Sequence, residues 1–456
     1  MKADMGRASG DGNRVVSEFI TGITWDRLPP EAQSQARLAL LDTLGAALAG
    51  TLTPVSRIAT DLAIEVWPGD EATLLLRDRR ASAIGAAFAN GYAANGLDID
   101  DCAIYTKGHP GAQIFPTALA LAESMGLGGA EMLTGLVVGY EVAHRAARIW
   151  HATHDAYQAC GSWGSVACAA VAAHLTGLTG EQTRHALGIA EYHAPNLPMM
   201  RDIDHPRMVK HGIGWGAMTG IVAAQLAAHG FSGIPSLFGF EKVRDWVTDI
   251  GQHYIMVEGL AWKRYACCAW IHAALKGAEQ LLREHGFRAE DIDHIRVEAF
   301  HEAVRLGAEL PTTTEEAQFN MAWPLAALLT DGEVGPAQTL ERGLSDPQIQ
   351  DLARRIELVE TEELSRLYRL ATRGDPRGKY ASRVTIVLRD GTALDSGPVE
   401  GDINYPQRCW DRKGLEGKFR WLARPVLDET RIDALIDMIR RFEDIENVRQ
   451  LTRLLA

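Results

Sequence analysis

The sequence predicts a mainly α-helical protein, a large all-helical domain over 1–261 plus 403–456 with a smaller α+β domain inserted at 262–402. Three observations carry that reading. Apolar residues recur at helical spacing through most of the N-terminal half, strand-like alternation begins beyond Trp262, and the C-terminal stretch returns to helical spacing. A tail of that kind packs back on the first domain and leaves the α+β segment as an insertion. The length of 456 residues also exceeds what one hydrophobic core usually organises.

After a polar tail of roughly a dozen residues, the first helical pattern covers 15–20. Pro29 and Pro30 open a stronger helix that Gly50 closes, since proline suits a first helical turn and glycine a helix end. Further helical patterns cover 81–94, 113–124, 130–150, 162–175, 180–190 and 214–229, many of them apolar on more than one face. Helices of that kind bury one another. In the inserted segment 292–300 alternates as a strand, 383–396 reads as a hairpin turning at Asp390-Gly391, and 272–284 and 323–329 are helical. The tail carries helical patterns at 415–422 and 430–442.

Composition excludes several function classes. A net charge of −13 with no Lys/Arg block argues against nucleic acid or an anionic membrane as partner. The N-terminus lacks the apolar stretch of a secretory signal, and no run of about 18 apolar residues could span a bilayer. A cytoplasmic location is the expectation. Six cysteines in so long a chain do not form a disulfide framework, so Cys102, Cys160, Cys168, Cys267, Cys268 and Cys409 are expected as thiols. Adjacent Cys267 and Cys268 do not make the CxxC half of a zinc site, and no metal is expected.

Three polar clusters interrupt the apolar texture. In LDIDDCAIYTKGHPGAQIF, Asp98, Asp100, Asp101, Lys107 and His109 fall on a connection between helices, where Gly108, Pro110 and Gly111 fix a non-helical path. The same spacing also fits helix-capping aspartates and a turn histidine. In HPRMVKHGIGWGAMTG, Lys210 and His211 precede a glycine-punctuated helix start, where a carboxylate or phosphate could dock, although a solvated lysine and packing glycines fit as well. In WKRYACCAWIHAALKG, Lys263 and Arg264 precede a thiol-containing apolar stretch, and Arg264 offers bidentate carboxylate binding. Cys267, Cys268 and His272 in that stretch are more often core side chains than reactive groups. GxGxxG after a strand, GxxxxGK[ST], GxSxG, HExxH and three-cysteine cluster spacing are all missing, which removes nucleotide, serine-hydrolase, zinc-protease and iron–sulfur readings.

Five blocks in order, ARLALLDTLGAALAG, NGLDIDDC with KGHPGAQIFPTALALAE, MVKHGIGWGAMTGIVAAQLAAHGFSG, KRYACCAWIH and QFNMAWPLAALLTDGEV, resemble the MmgE/PrpD family over almost the whole chain. The resemblance implies a helical domain with an α+β lid, a homodimer, and an active site between the domains that works on small polycarboxylates without a cofactor. It implies catalytic roles for Asp98, which opens the LDxDD block, for His109 of the HPxG block and for Lys210 of the MxK block. Lys263, Arg264, Gln158, Cys268 and Trp323 are the expected substrate-binding positions.

Three of these depart from the pattern. Tyr157-Gln158-Ala159-Cys160 stands where many members have a histidine, Cys268 where decarboxylases have a lid histidine, and Trp323 where a SLPYAVA-like block has tyrosine. These replacements point away from cis-aconitate decarboxylation and weaken the case for 2-methylcitrate dehydration. The activity implied first is a dehydratase-like lyase that forms a carbanion beside a carboxylate of a di- or tricarboxylate such as 2-methylcitrate. An epimerase of a small dicarboxylate such as iminodisuccinate comes second, and a member that only binds a carboxylate third.

Overall fold

The computed structural model describes residues 10–404 and 410–456, so Cys409 lies outside the described residues. Helix takes 59% of the chain and strand 10%, so the mainly helical class holds. The first helix, Gly10–Gly22, begins ahead of the 15–20 pattern, inside the stretch expected as a polar tail. Its start is held from a distance: Asn13 Nδ2 donates to the Ser236 carbonyl at 3.2 Å, and the Ser236 amide donates to Asn13 Oδ1 at 3.1 Å. Contacts so remote in sequence leave no local periodicity to read.

Helix Pro30–Gly50 carries Pro30 in its first turn, and every residue of its second half is buried, as helices apolar all round must be. Helices Ala83–Ala94, Gly111–Met125, Gly129–Thr153, Cys160–Leu175, Gly180–Tyr192 and Ile213–Ala228 follow the sequence patterns to within a few residues. Helix Pro54–Val66, which the sequence reading missed, is set by Pro54 at its start and the Thr53 side chain capping the Ser56 amide.

A four-stranded mixed sheet lies in the later half. Strand Ile292–Ala299 pairs in parallel with Ile356–Glu360 on one side and antiparallel with Ala381–Leu388 on the other, and Ala393–Glu400 forms the far edge. The hairpin turns at Asp390-Gly391 as expected, with Gly391 at φ +88°, which a side chain would resist. Strand Ile356–Glu360 and helix Glu362–Ala371 were not legible beforehand.

Two large apolar cores result, with two small clusters beside them. One draws on residues as far as Trp262 and then on the tail from Leu415 to Leu455. The other draws on Tyr265 to Ile403, joined by Cys102, Ala159, Met199, Ile203 and Ala261. The tail is fixed by charge as well as packing: on helix Arg412–Ala423, buried Lys418 Nζ lies 2.6 Å from Asp42 Oδ1 and donates to the Ile99 carbonyl at 2.8 Å. No single helix among the described residues is long and apolar enough to cross a membrane.

Candidate active site

The connection at 95–110 carries the site. It runs between helices Ala83–Ala94 and Gly111–Met125, and its carboxylates stay inside because each finds a partner. Asn95 Nδ2 donates to Asp100 Oδ1 at 2.8 Å and to Asp98 Oδ1 at 3.3 Å. Asp101 accepts from the Gly111 amide at 3.0 Å and from the Tyr140 hydroxyl at 2.6 Å, which pins the next helix start. Gly111 has to be glycine, since a Cβ there would fall 2.4 Å from the Tyr140 oxygen.

A two-residue ladder, Cys102 and Ala103 against Ala261 and Leu260, brings the 263 segment alongside. Lys263 Nζ thereby sits 2.7 Å from Asp98 Oδ2 and also donates to the Asp98 carbonyl. His109 turns Nδ1 to the Asp101 carbonyl at 2.8 Å, with Asp100 Oδ2 3.3 Å away, and Nε2 to Asp98 Oδ1 at 3.1 Å. His211 repeats the arrangement: Nδ1 lies 2.8 Å from Asp202 Oδ2, and Nε2 lies 3.8 Å from the same Asp98 oxygen. The two imidazoles are parallel, 5.5 Å apart with 4° between planes.

Backbone strain concentrates at this place. Of the five non-glycine residues with positive φ among the described residues, four are Asp98, Lys107, Lys210 and His211. Each such conformation costs about 1–3 kcal/mol and survives only where its surroundings enforce it, a pattern typical of functional sites.

The charges settle accordingly. Burial pushes the Asp98 carboxyl up, but Lys263, then His109, outweigh it and hold Asp98 well below the usual range. Burial would lower His109, yet the Asp100 and Asp98 carboxylates carry it up to about 10. His211 is likewise raised against burial by its contacts to Asp202 and Asp98, and Lys263 is raised against burial by Asp98 and Asp100. Asp101 is pushed up to about 7 by burial and by Asp100. Near neutral pH the site therefore holds an ionised Asp98 among protonated donors.

Asp98, His109 and His211 face a narrow cavity of about 40 Å³. Apart from Lys107, the rest of its lining is neutral. Cys268 is pushed up to about 12 by burial and Asp98, Cys160 and Cys102 rise chiefly through burial, and so do Tyr157, Tyr368 and Tyr380. Lys107 also lines the cavity, its Nζ 5.8 Å from the centre of the Tyr157 ring and its pKa lowered by burial.

Of the residues anticipated from the sequence, Asp98, His109 and Cys268 line the cavity, and Lys263 stands directly behind Asp98. Lys210 is buried beside it, donating to Gln318 Oε1 at 2.8 Å and lying 5.6 Å from the centre of the Phe319 ring, which itself lines the cavity. Gln158 is a brace, its Oε1 accepting from the Leu197 amide at 2.7 Å. Trp323 is fully buried in the second core, its indole N–H donating to the Gln338 carbonyl at 2.9 Å. Arg264 points outward with its side chain 51% exposed, paired to Glu279 at 3.1 Å. The chain bends at Arg264, beyond the short strand Leu260–Ala261, and Lys263 is buried while Arg264 is exposed.

The sequence reading singled out Lys210, and it is the adjacent His211 that faces the cavity. Trp270, Phe319, Tyr368 and Tyr380 went unnoticed, because aromatic residues in an α+β segment read as core. Asp98, His109 and His211 offer three ligand atoms within 4.8 Å of one another, a spacing that a divalent ion could use. The Lys263 ammonium already occupies the charge of that carboxylate, which disfavours a further cation there.

The N-terminal domain model of the MmgE/PrpD family matches residues 14–244, and its C-terminal domain model matches residues 265–444. Cis-aconitate decarboxylase of Homo sapiens is 25% identical over 467 residues, covering 96% of this chain and 92% of its own length. A cis-aconitate decarboxylase of Aspergillus terreus is 22% identical with 96% and 95% covered, and that of Mus musculus is 24% identical with 96% and 92% covered. With both domain models matched in order along most of its length, this chain belongs to the MmgE/PrpD family.

Proposed function

We propose that the protein is a lyase that forms a carbanion beside a carboxylate of a small di- or tricarboxylate, of the 2-methylcitrate kind, and expels a β-hydroxyl or similar group. The observation that carries this reading is the Asp98–His109–His211 constellation, two parallel imidazoles aimed at one ionised carboxylate beside a buried ammonium. Elimination needs a group that accepts a proton from carbon and one that gives a proton to the departing oxygen. His109, held protonated by Asp98 and Asp100, is assigned as the donor. Asp98, ionised and lining the cavity, is assigned as the acceptor, with His211 Nε2 turned to the same oxygen at 3.8 Å. Lys263 and the charged imidazole stabilise the negative charge developing on the substrate in a water-poor site.

The gap of 5.5 Å between the imidazoles is too small for a substrate to lie between them, so both act from one side, as elimination allows. A second reading, an epimerase, draws on Lys107, a lining amine whose pKa burial lowers and which could serve as the other base. The decarboxylation named for the relatives passes through the same type of carbanion. It is less favoured here because Cys268 presents a neutral thiol where the family pattern of decarboxylases implies an imidazole.

Incubation of the protein in deuterium oxide with citrate-, malate- and iminodisuccinate-type acids and cis-aconitate, followed by NMR, separates these readings. An alkene product supports the lyase, and deuterium in an inverted product supports the epimerase. Loss of carbon dioxide supports the decarboxylase. Tight binding with neither product nor exchange would leave only a carboxylate-binding role. The 262–402 segment is proposed as a lid domain on the strength of its separate core. Hydrogen exchange that slows on both sides of the cavity when an acid binds would support it, and slowing confined to one side would not.

A further inference from the structure

We infer that Gln318 is a positioning residue, a neutral amide that holds the Lys210 ammonium beside the cavity without neutralising it and so keeps that charge for a carboxylate of the substrate. It rests on the proposed function for the class of acid received.

Four lysine or arginine side chains are buried among the described residues. Three have a carboxylate within reach: Arg145 lies 2.6 Å from Glu141, Lys263 2.7 Å from Asp98 and Lys418 2.6 Å from Asp42. Lys210 has none among the described residues. Its Nζ donates to Gln318 Oε1 at 2.8 Å and lies 5.6 Å from the centre of the Phe319 ring. An amide dipole and a ring face offset only part of the cost of burying a charge, so the surroundings of Lys210 are completed by an anion.

Gln318 is held so that its oxygen faces the ammonium. Its Nε2 donates to the Gly96 carbonyl at 3.1 Å and to Thr314 Oγ1 at 2.9 Å. A backbone carbonyl only accepts, so a turned amide would set oxygen against oxygen at Gly96 and nitrogen against the ammonium. The Gln318 carbonyl also accepts from the amide of Cys268, a lining residue, at 2.9 Å. One fully buried side chain thus ties Lys210 to the connection that bears Asp98 and to the α+β segment. The residues that follow each partner place the ammonium at the cavity wall: Phe319 and His211 both line the cavity, and their rings meet edge-on at 5.4 Å. In a water-poor interior the charge reaches a carboxylate there even without direct contact.

The test compares Gln318→Glu with Gln318→Met. Both remove the donors to Gly96 and Thr314, and only the first gives Lys210 a counter-charge, so the difference between them isolates charge. Binding of succinate and tricarballylate, which have no group to expel, is followed by NMR titration, and KM and kcat are measured for any acid that is converted. The native protein is expected to bind at least one of the two probes. Gln318→Glu should weaken that binding about 100-fold, the scale of one buried charge acting over several ångströms, and raise KM more than it lowers kcat. Gln318→Met should weaken it by less than about tenfold, and Lys210→Met about as much as Gln318→Glu. In the Lys210→Met background, Gln318→Glu should add less than about twofold, because the two changes remove the same charge. If Gln318→Glu does not fold, binding lost in Lys210→Met and kept in Gln318→Met still supports the inference. Equal losses in the Glu and Met variants, native affinity in Lys210→Met, or a native protein that binds neither probe would overturn it. Binding that follows the expected order with no acid converted would retain the inference and remove the lyase reading. An alkene product with KM unchanged in Gln318→Glu would do the reverse.

Discussion

The two sides of the cavity are built by different means. The side from the helical half is a loop of buried charges, with backbone held at positive φ and each carboxylate tied by named partners. The cavity wall from the α+β segment is a stack of rings with the Cys268 thiol and no charge, Lys263 of that segment standing behind Asp98. On the proposed function, reactivity falls to the first side and selectivity to the second. Charge networks fix proton positions, whereas aromatic packing fixes shape.

Substitutions on the two sides should therefore fail differently. His109→Gln is expected to lower kcat by about 10²–10⁴-fold if it transfers a proton. Tyr368→Phe, which keeps the stack, should change kcat by less than about tenfold while altering substrate preference. Equal losses in a kinetic comparison would erase the distinction. Lys263→Met strips a buried counter-ion from Asp98 and is expected to cost about 3–5 kcal/mol of stability in a denaturant titration. A melt unchanged within error would mean that Asp98 is not ionised in the folded protein.

The charged side should also make stability depend on pH. His109 is raised from 6.5 to about 10, so its contribution is complete below pH 6.5 and is lost as pH rises through about 10. Asp101 acts in the same direction lower down, its contribution complete below pH 3.8 and lost as pH rises through about 7. Melting temperature should thus fall between pH 7 and 10, by on the order of a few kcal/mol in free energy, and His109→Gln should flatten that slope. A slope retained in the variant would place the titrating group elsewhere. Arg264→Ala should have the smallest effect, below about 1 kcal/mol in stability and about twofold in kcat/KM, because exposed pairs contribute little. A large loss of activity would return Arg264 to the substrate site.

The same comparison explains what was legible in the sequence. Asp98, Asp100, Asp101 and His109 stood out because polar residues crowded between apolar helices are costly unless used, and hairpin 383–396 announced itself through Asp390-Gly391. Arg264 misled because charge alone does not say which way a side chain points. His211 was seen but passed over for Lys210, since one-residue differences in facing depend on the positive φ at both positions, which the string of letters does not display. The aromatic wall left no trace, as Trp270, Tyr368 and Tyr380 are far apart in sequence and look like ordinary core.

The tie from Lys418 to Asp42 and to the Ile99 carbonyl has a consequence for how the protein comes into being. The loop that bears Asp98 leaves the ribosome early, yet one of its anchors is made more than 300 residues later, so loop closure on that scale must precede a finished site. A nascent chain that ends before Arg412 leaves Asp42 beside Asp100 without the Lys418 ammonium that pairs with it. Such chains, released from stalled translation, are expected to be helical by circular dichroism but to lack protection from hydrogen exchange at 95–110. Protection appearing there before helix Arg412–Ala423 has emerged would show that the loop organises itself. On the first outcome, the loop that bears Asp98 is among the early parts made and among the last to be set.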